Sequence, residues 1–139
     1  MKKILLAVPI ILIASAVFAE RSILERNIVR GEFVPEPRLI APTTEEVVLA
    51  GKDALEFKWS PHEGNATRRD YYDFRLYKGR NMYQSAMIFK KRISHNEFSV
   101  AIKSDIFKDG QIYTWSLRRV YIGSLKSRRS YASFKVTKK

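Results

Sequence analysis

Large apolar side chains alternate with polar ones in five separate runs of the chain, and a period of two marks strands that bury one face. The runs are Leu55-Glu56-Phe57-Lys58-Trp59, Tyr72-Asp73-Phe74-Arg75-Leu76, Phe98-Ser99-Val100-Ala101-Ile102, Tyr113-Thr114-Trp115-Ser116-Leu117 and Ala132-Ser133-Phe134-Lys135-Val136. Between them lie turn-forming stretches: residues 61–65 with Gly64, 78–81 with Gly79, 94–97, 108–111 with Gly110, and 122–124 with Gly123. Two weaker strands are expected near residues 38–41 and 87–93, with a brief pairing at 47–49. About seven short strands over roughly one hundred residues predict an all-β fold, a seven-stranded antiparallel β-sandwich. No segment reads as a helix.

The N-terminal pattern differs. Lys2 and Lys3 precede a nearly unbroken apolar run at residues 4–17, and Val17-Phe18-Ala19 places small residues at the −3 and −1 positions of a cleavage site. Residues 1–19 are expected to be a signal peptide cut before Glu20, which makes the protein exported, either periplasmic or extracellular. An uncleaved anchor is the competing reading, but the run is shorter than the ~20 apolar residues a spanning helix needs. Residues 20–37 are polar and end in Pro35-Glu36-Pro37, a linker whose prolines favour extended backbone into a domain at 38–139.

Within that domain Leu55, Phe57 and Trp59 followed by Pro61 resemble the second strand of fibronectin type III domains, and Tyr72, Phe74 and Leu76 the third. The stretch Phe107-Lys108-Asp109-Gly110-Gln111-Ile112-Tyr113 is similar to the family's turn before its sixth strand. The resemblance, to exported domains of bacterial type, implies a fibronectin type III/immunoglobulin-like sandwich. It also implies a tyrosine corner at Tyr113, with the hydroxyl bonded back to nearby backbone. Two departures are the charged Lys90-Lys91-Arg92 inside an expected strand and Arg118-Arg119 at the end of the sixth.

Composition narrows the chemistry. The 139 residues contain no cysteine, which excludes disulfides, thiolate metal sites and a cysteine nucleophile. His62 and His95, the two histidines, have no ligand-spaced partner and read as exposed loop imidazoles. There is no phosphate-binding loop or nucleophile elbow, and the one adjacent acidic pair, Glu45-Glu46, would point to opposite faces of a strand. The expected module is therefore non-catalytic, with no cofactor and no metal. Some fibronectin type III domains carry Arg-Gly-Asp before the last strand; here that loop reads Gly123-Ser124-Leu125-Lys126-Ser127-Arg128-Arg129.

The charge is the strongest remaining signal. Twenty-six Lys and Arg against fourteen Asp and Glu give a net charge of +12, and cleavage after residue 19 leaves +10. Such a charge speeds encounter with any polyanion without choosing among them. If Tyr72, Phe74 and Leu76 point inward, then Tyr71, Arg75 and Tyr77 point outward, joined by Arg118, Tyr131 and Lys135 from neighbouring strands. Lys126, Arg128 and Arg129 add a basic loop beside them. Rings stack on sugars and arginines grip carboxylates, although strand propensity and edge protection account for much of the same pattern. Two readings follow: a module mediating protein interaction or scaffolding in the cell envelope, or one binding anionic carbohydrate or cell-wall polymer. Nucleic acid fits the charge and not the export.

Overall fold

The alternating runs become the strands of two facing sheets. The computed structural model describes residues 35–62, 69–121 and 125–139. The expected signal peptide, the linker up to residue 34, turn residues 63–65 and loop residues 122–124 lie outside the described residues. Strands β1 (Leu39–Ala41), β3 (Ala54–Trp59) and β6 (Ser99–Lys103) form one sheet, ordered β1-β3-β6. The other is ordered β2-β8-β7-β4-β5, from β2 (Glu46–Val48), β8 (Ser130–Thr137), β7 (Ile112–Val120), β4 (Tyr71–Lys78) and β5 (Met87–Ser94).

Two features correct the expected seven antiparallel strands. There are eight strands among the described residues, and β2 pairs with β8 in parallel, Glu46 opposite Lys135 and Val48 opposite Thr137. Both come from one event: the N-terminal segment pairs with β3 as β1, crosses to the other sheet, and continues as β2. The Trp115 indole N–H donates to the carbonyl of Pro42 at that crossing, at 2.9 Å in the interior. The result is a fibronectin type III-like β-sandwich with one mixed sheet.

The core follows the pattern closely. In β3, Leu55, Phe57 and Trp59 are buried while Ala54, Glu56 and Lys58 are exposed. Phe57 crosses the space between the sheets, its ring 5.1 Å from Phe74, 5.2 Å from Trp115 and 6.0 Å from Phe134. Edge-to-face contacts of this kind add about 0.5–1.5 kcal/mol to the burial itself.

Local chemistry sets the turns. Gly79 (φ 88°) and Gly110 (φ 77°) adopt the left-handed backbone that glycine takes without steric cost, and each N–H ties its turn to another strand, donating to the carbonyls of Ile112 in β7 and Val136 in β8. Open space surrounds both positions, so conformation rather than crowding demands glycine there. The tyrosine corner is present: the Lys108 backbone N–H donates to the Tyr113 hydroxyl at 2.8 Å. Single 3₁₀ turns at Gln84–Ala86 and Ser104–Ile106 are the helical elements among the described residues.

Candidate binding face

The sheet β2-β8-β7-β4-β5 turns one face to the core and the other outward. Strand pairing places outward residues in rows: Asp73 lies between Arg118 and Arg92, Arg75 between Ser116 and Lys90, and Tyr131 opposite Ser116. Asp73 is the sole carboxylate in β4, β5, β7 and β8.

Its surroundings are a small electrostatic device. Arg75 reaches Asp73 at 3.0 Å, and Arg129, from the loop before β8, reaches it at 2.5 Å. Arg129 also donates to the Ser116 hydroxyl at 3.3 Å, so it straps the surface of β7 to β4. Burial acts to raise the Asp73 pKa, but the hydrogen bonds and charges of Arg129 and Arg75 outweigh it and hold the carboxylate below its ordinary value. Burial opposes the charge on Arg75 as well, and the Tyr77 hydroxyl and Asp73 together overcome it and raise its pKa. Arg118 is the reverse case: burial and the neighbouring Arg129 charge lower its pKa, and its Nε is buried without a hydrogen-bond partner.

The nine residues singled out in the sequence divide accordingly. Tyr71, Arg75, Arg118, Tyr131 and Lys135 lie on the outward face, and Lys126, Arg128 and Arg129 lie in the stretch leading into β8. Tyr131 is the most open of the three tyrosines among them, 64% exposed. Tyr77 departs from expectation: it shares the outward row with Thr114 but is only 3% exposed. Arg75 engages its hydroxyl, and the β4–β5 pairing shifts register between Leu76 and Tyr77. Tyr71 is half-buried, with the Arg92 guanidinium 3.9 Å above its ring. Arg129 is not a free loop cation but a structural strap. His62 and His95 lie outside strands as expected, yet both are half-buried, and His62 meets the Tyr121 ring at 5.9 Å.

Arg119 is what pattern reading missed. It follows Tyr113, Trp115 and Leu117 on the inward parity of β7 and is 2% exposed at one end of the sandwich. Its guanidinium stands 3.4 Å from Asp70, 4.7 Å over the Tyr121 ring and 5.9 Å from the Tyr72 ring. Burial lowers its pKa. The signal was the parity itself, which places a cation where an apolar side chain is due.

Among the described residues no cluster of His, Asp and Glu could hold a metal ion, and no helix is long and apolar enough to cross a membrane. No protein-family model matches the chain, and no curated protein matches it in sequence. Among solved structures it is similar to the third fibronectin III domain of human KIAA0343 protein, at 12% identity and a TM-score of 0.47, over 70% of this chain and 86% of that one. The two sheets, their strand order and the tyrosine corner define the fold.

Proposed function

We propose that this chain is an exported, non-catalytic β-sandwich module that docks an acidic protein partner on the outward face of β8, β7, β4 and β5. The observation that carries the reading is the imbalance of charge on that face. Within these four strands the one carboxylate, Asp73, is already engaged by two arginines, and Arg92 and Arg118 make no ion pair among the described residues, while Lys135 at the margin stands beside Glu46 of β2. Beside them Tyr131 offers an exposed ring of the kind that anchors protein interfaces. A flat basic surface around an aromatic anchor suits a protein whose own patch is acidic, because complementary charge speeds encounter and sets orientation. Export is supported by the sequence of residues 1–19.

The glycan reading asked for Tyr71, Tyr77, Arg75 and Arg118 to lie exposed together. With Tyr77 covered and one face of Tyr71 occupied by Arg92, two stacking surfaces it relied on are taken up.

The test is site-specific photo-crosslinking in the native host, with a photoreactive residue at Tyr131 and a control at Lys58 on the opposite sheet. The expected result is a discrete, protease-sensitive adduct from position 131, absent from position 58 and lost when Arg118 and Lys135 are both changed to Glu. Equal adducts from both positions, or none from 131, would overturn the reading. A protease-resistant polydisperse product would favour the carbohydrate polymer instead.

A further inference from the structure

At the end of the sandwich that holds Arg119, away from the basic sheet face, the sheets part around a cavity of about 330 Å3. Its walls come from the segment entering β1 (Pro35, Pro37), the turn leaving β3 (Ser60, Pro61), and the ends of β4 and β7 (Tyr72 and Arg119). The volume is at the small end of the range for ligand pockets.

Its polar groups are unusual in one respect. Buried polar atoms in folded proteins are nearly always hydrogen-bonded. Here the Tyr72 hydroxyl and the Nε and Nη1 of Arg119 are buried and have no hydrogen-bond partner. Both residues are only 2% exposed, and both line the cavity. The groups around them continue the theme. The Trp59 indole N–H and the Tyr121 hydroxyl also lack partners. The Trp59 ring lies 5.4 Å from the Tyr72 ring, and its indole N–H beside the Tyr72 hydroxyl acts to lower that hydroxyl's pKa.

Guanidinium and indole nitrogens can only donate, and a phenol hydroxyl can donate as well. This end of the cavity therefore presents donors in excess of acceptors. The complement is a group that only accepts, and the commonest biological group of that kind carrying a single charge and a planar pair of oxygens to match a guanidinium is a carboxylate. A dianionic phosphate fits less well, because Asp70 already stands 3.4 Å from the guanidinium and Glu36 lies on the rim. The rings of Tyr121 and Tyr72 hold the Arg119 guanidinium in place, which spares the ordering of a long side chain on binding. Pro35, Pro37 and Pro61 give the rest of the ligand an apolar wall.

We propose that this cavity is a binding site for a carboxylate, with Arg119 and Tyr72 as the groups that recognise it and the three prolines contacting an apolar body. The carboxylate belongs either to a small organic acid or to the C-terminus of a peptide chain, and the two sources share this recognition. The site is independent of the sheet face described above.

The test is NMR titration of the 15N-labelled protein, following the arginine Nε–H and the two indole N–H signals. One probe is benzoate; the other is the tripeptide Ala-Ala-Pro with a free carboxylate, compared with its C-terminal amide. Saturable shifts of the Arg119 and Trp59 signals are expected with at least one free carboxylate and not with the amide. Benzoate alone would identify a small acid as the ligand, and the tripeptide alone a chain terminus. Tyr72→Phe, which keeps the ring and removes the hydroxyl, is expected to weaken binding about five- to tenfold; Arg119→Met, if it folds, should abolish it. The proposal is overturned if neither carboxylate gives saturable shifts, if the amide binds equally, or if Tyr72→Phe binds as tightly as the parent.

Discussion

Tyr113 holds the turn before β7 through a single bond, its hydroxyl accepting from the Lys108 N–H at 2.8 Å. Its ring packs edge-on against Phe107, with centroids 5.0 Å apart, so the phenol is positioned before the bond forms. Tyr113→Phe keeps that packing and strips a backbone donor of its acceptor. We expect it to lower stability by about 1–3 kcal/mol, seen as a lower urea midpoint at unchanged slope. An unchanged midpoint would mean that the corner packs and does not bond. This residue was legible because Phe107, Gly110 and Tyr113 combine spacing with residue type. Arg119 and Tyr77 were not. Alternation gives the side to which a side chain points, and burial depends on what arrives from elsewhere in the chain. Arg119 points inward against Tyr121, two residues on, and against Tyr72 and Asp70 from a distant segment, while Tyr77 points outward and is covered. An outward side chain is open only where no neighbour covers it.

Among the elements, the strands written most plainly are those with both neighbours or a full core face: β3, β4, β6, β7 and β8 all carry the alternation. The edge strands other than β6 were faint for a physical reason. Strands β1 and β2 are three residues each, too short to show a period, and the parallel pairing of β2 with β8 depends on the crossing after β1, which no local pattern encodes. In β5 the basic run that looked out of place lies on an outer strand of its sheet. Lys91 pairs with Phe74 and so shares its core-side face, yet remains exposed at the rim. A charge on the inner side of an edge strand blocks another chain from adding there, because pairing would bury it. Lys91→Val should therefore change thermal stability by no more than about 0.5 kcal/mol while promoting association. Light scattering at rising protein concentration should show oligomers that the parent does not form. A variant as monomeric as the parent would leave the lysine without this role.

Charge is arranged across the whole molecule, and stability depends on pH through one group on the basic face and one beside Arg119. At the acid end the controlling group is Asp73, held below the ordinary carboxylate value by Arg129 and Arg75 against its own burial. A group depressed in the folded state stabilises above its unfolded pKa, about 3.9, and that stability is lost as pH falls through the folded value. Asp73→Asn should lower stability at neutral pH by an amount between the ~1 kcal/mol of an exposed pair and the ~3–5 kcal/mol of a fully buried one, because the three side chains are partly covered. It should also flatten the decline below pH 4. At the alkaline end the group is Tyr72, pushed up to about 12 by burial and then by Tyr121 and Asp70, with Trp59 acting the other way. A raised pKa has the opposite sense: the stability is complete below the unfolded value of about 10 and is lost as pH rises from there toward 12. Tyr72→Phe removes the titrating hydroxyl and keeps the ring contacts with Trp59 and Phe98. Thermal midpoints from pH 2.5 to 11.5 should show the parent falling at both ends, the Asp73 variant flattened only on the acid side, and the Tyr72 variant only on the alkaline side. Curves that run parallel to the parent throughout would mean that other groups govern both limbs, and that the two residues act in the fold through packing alone.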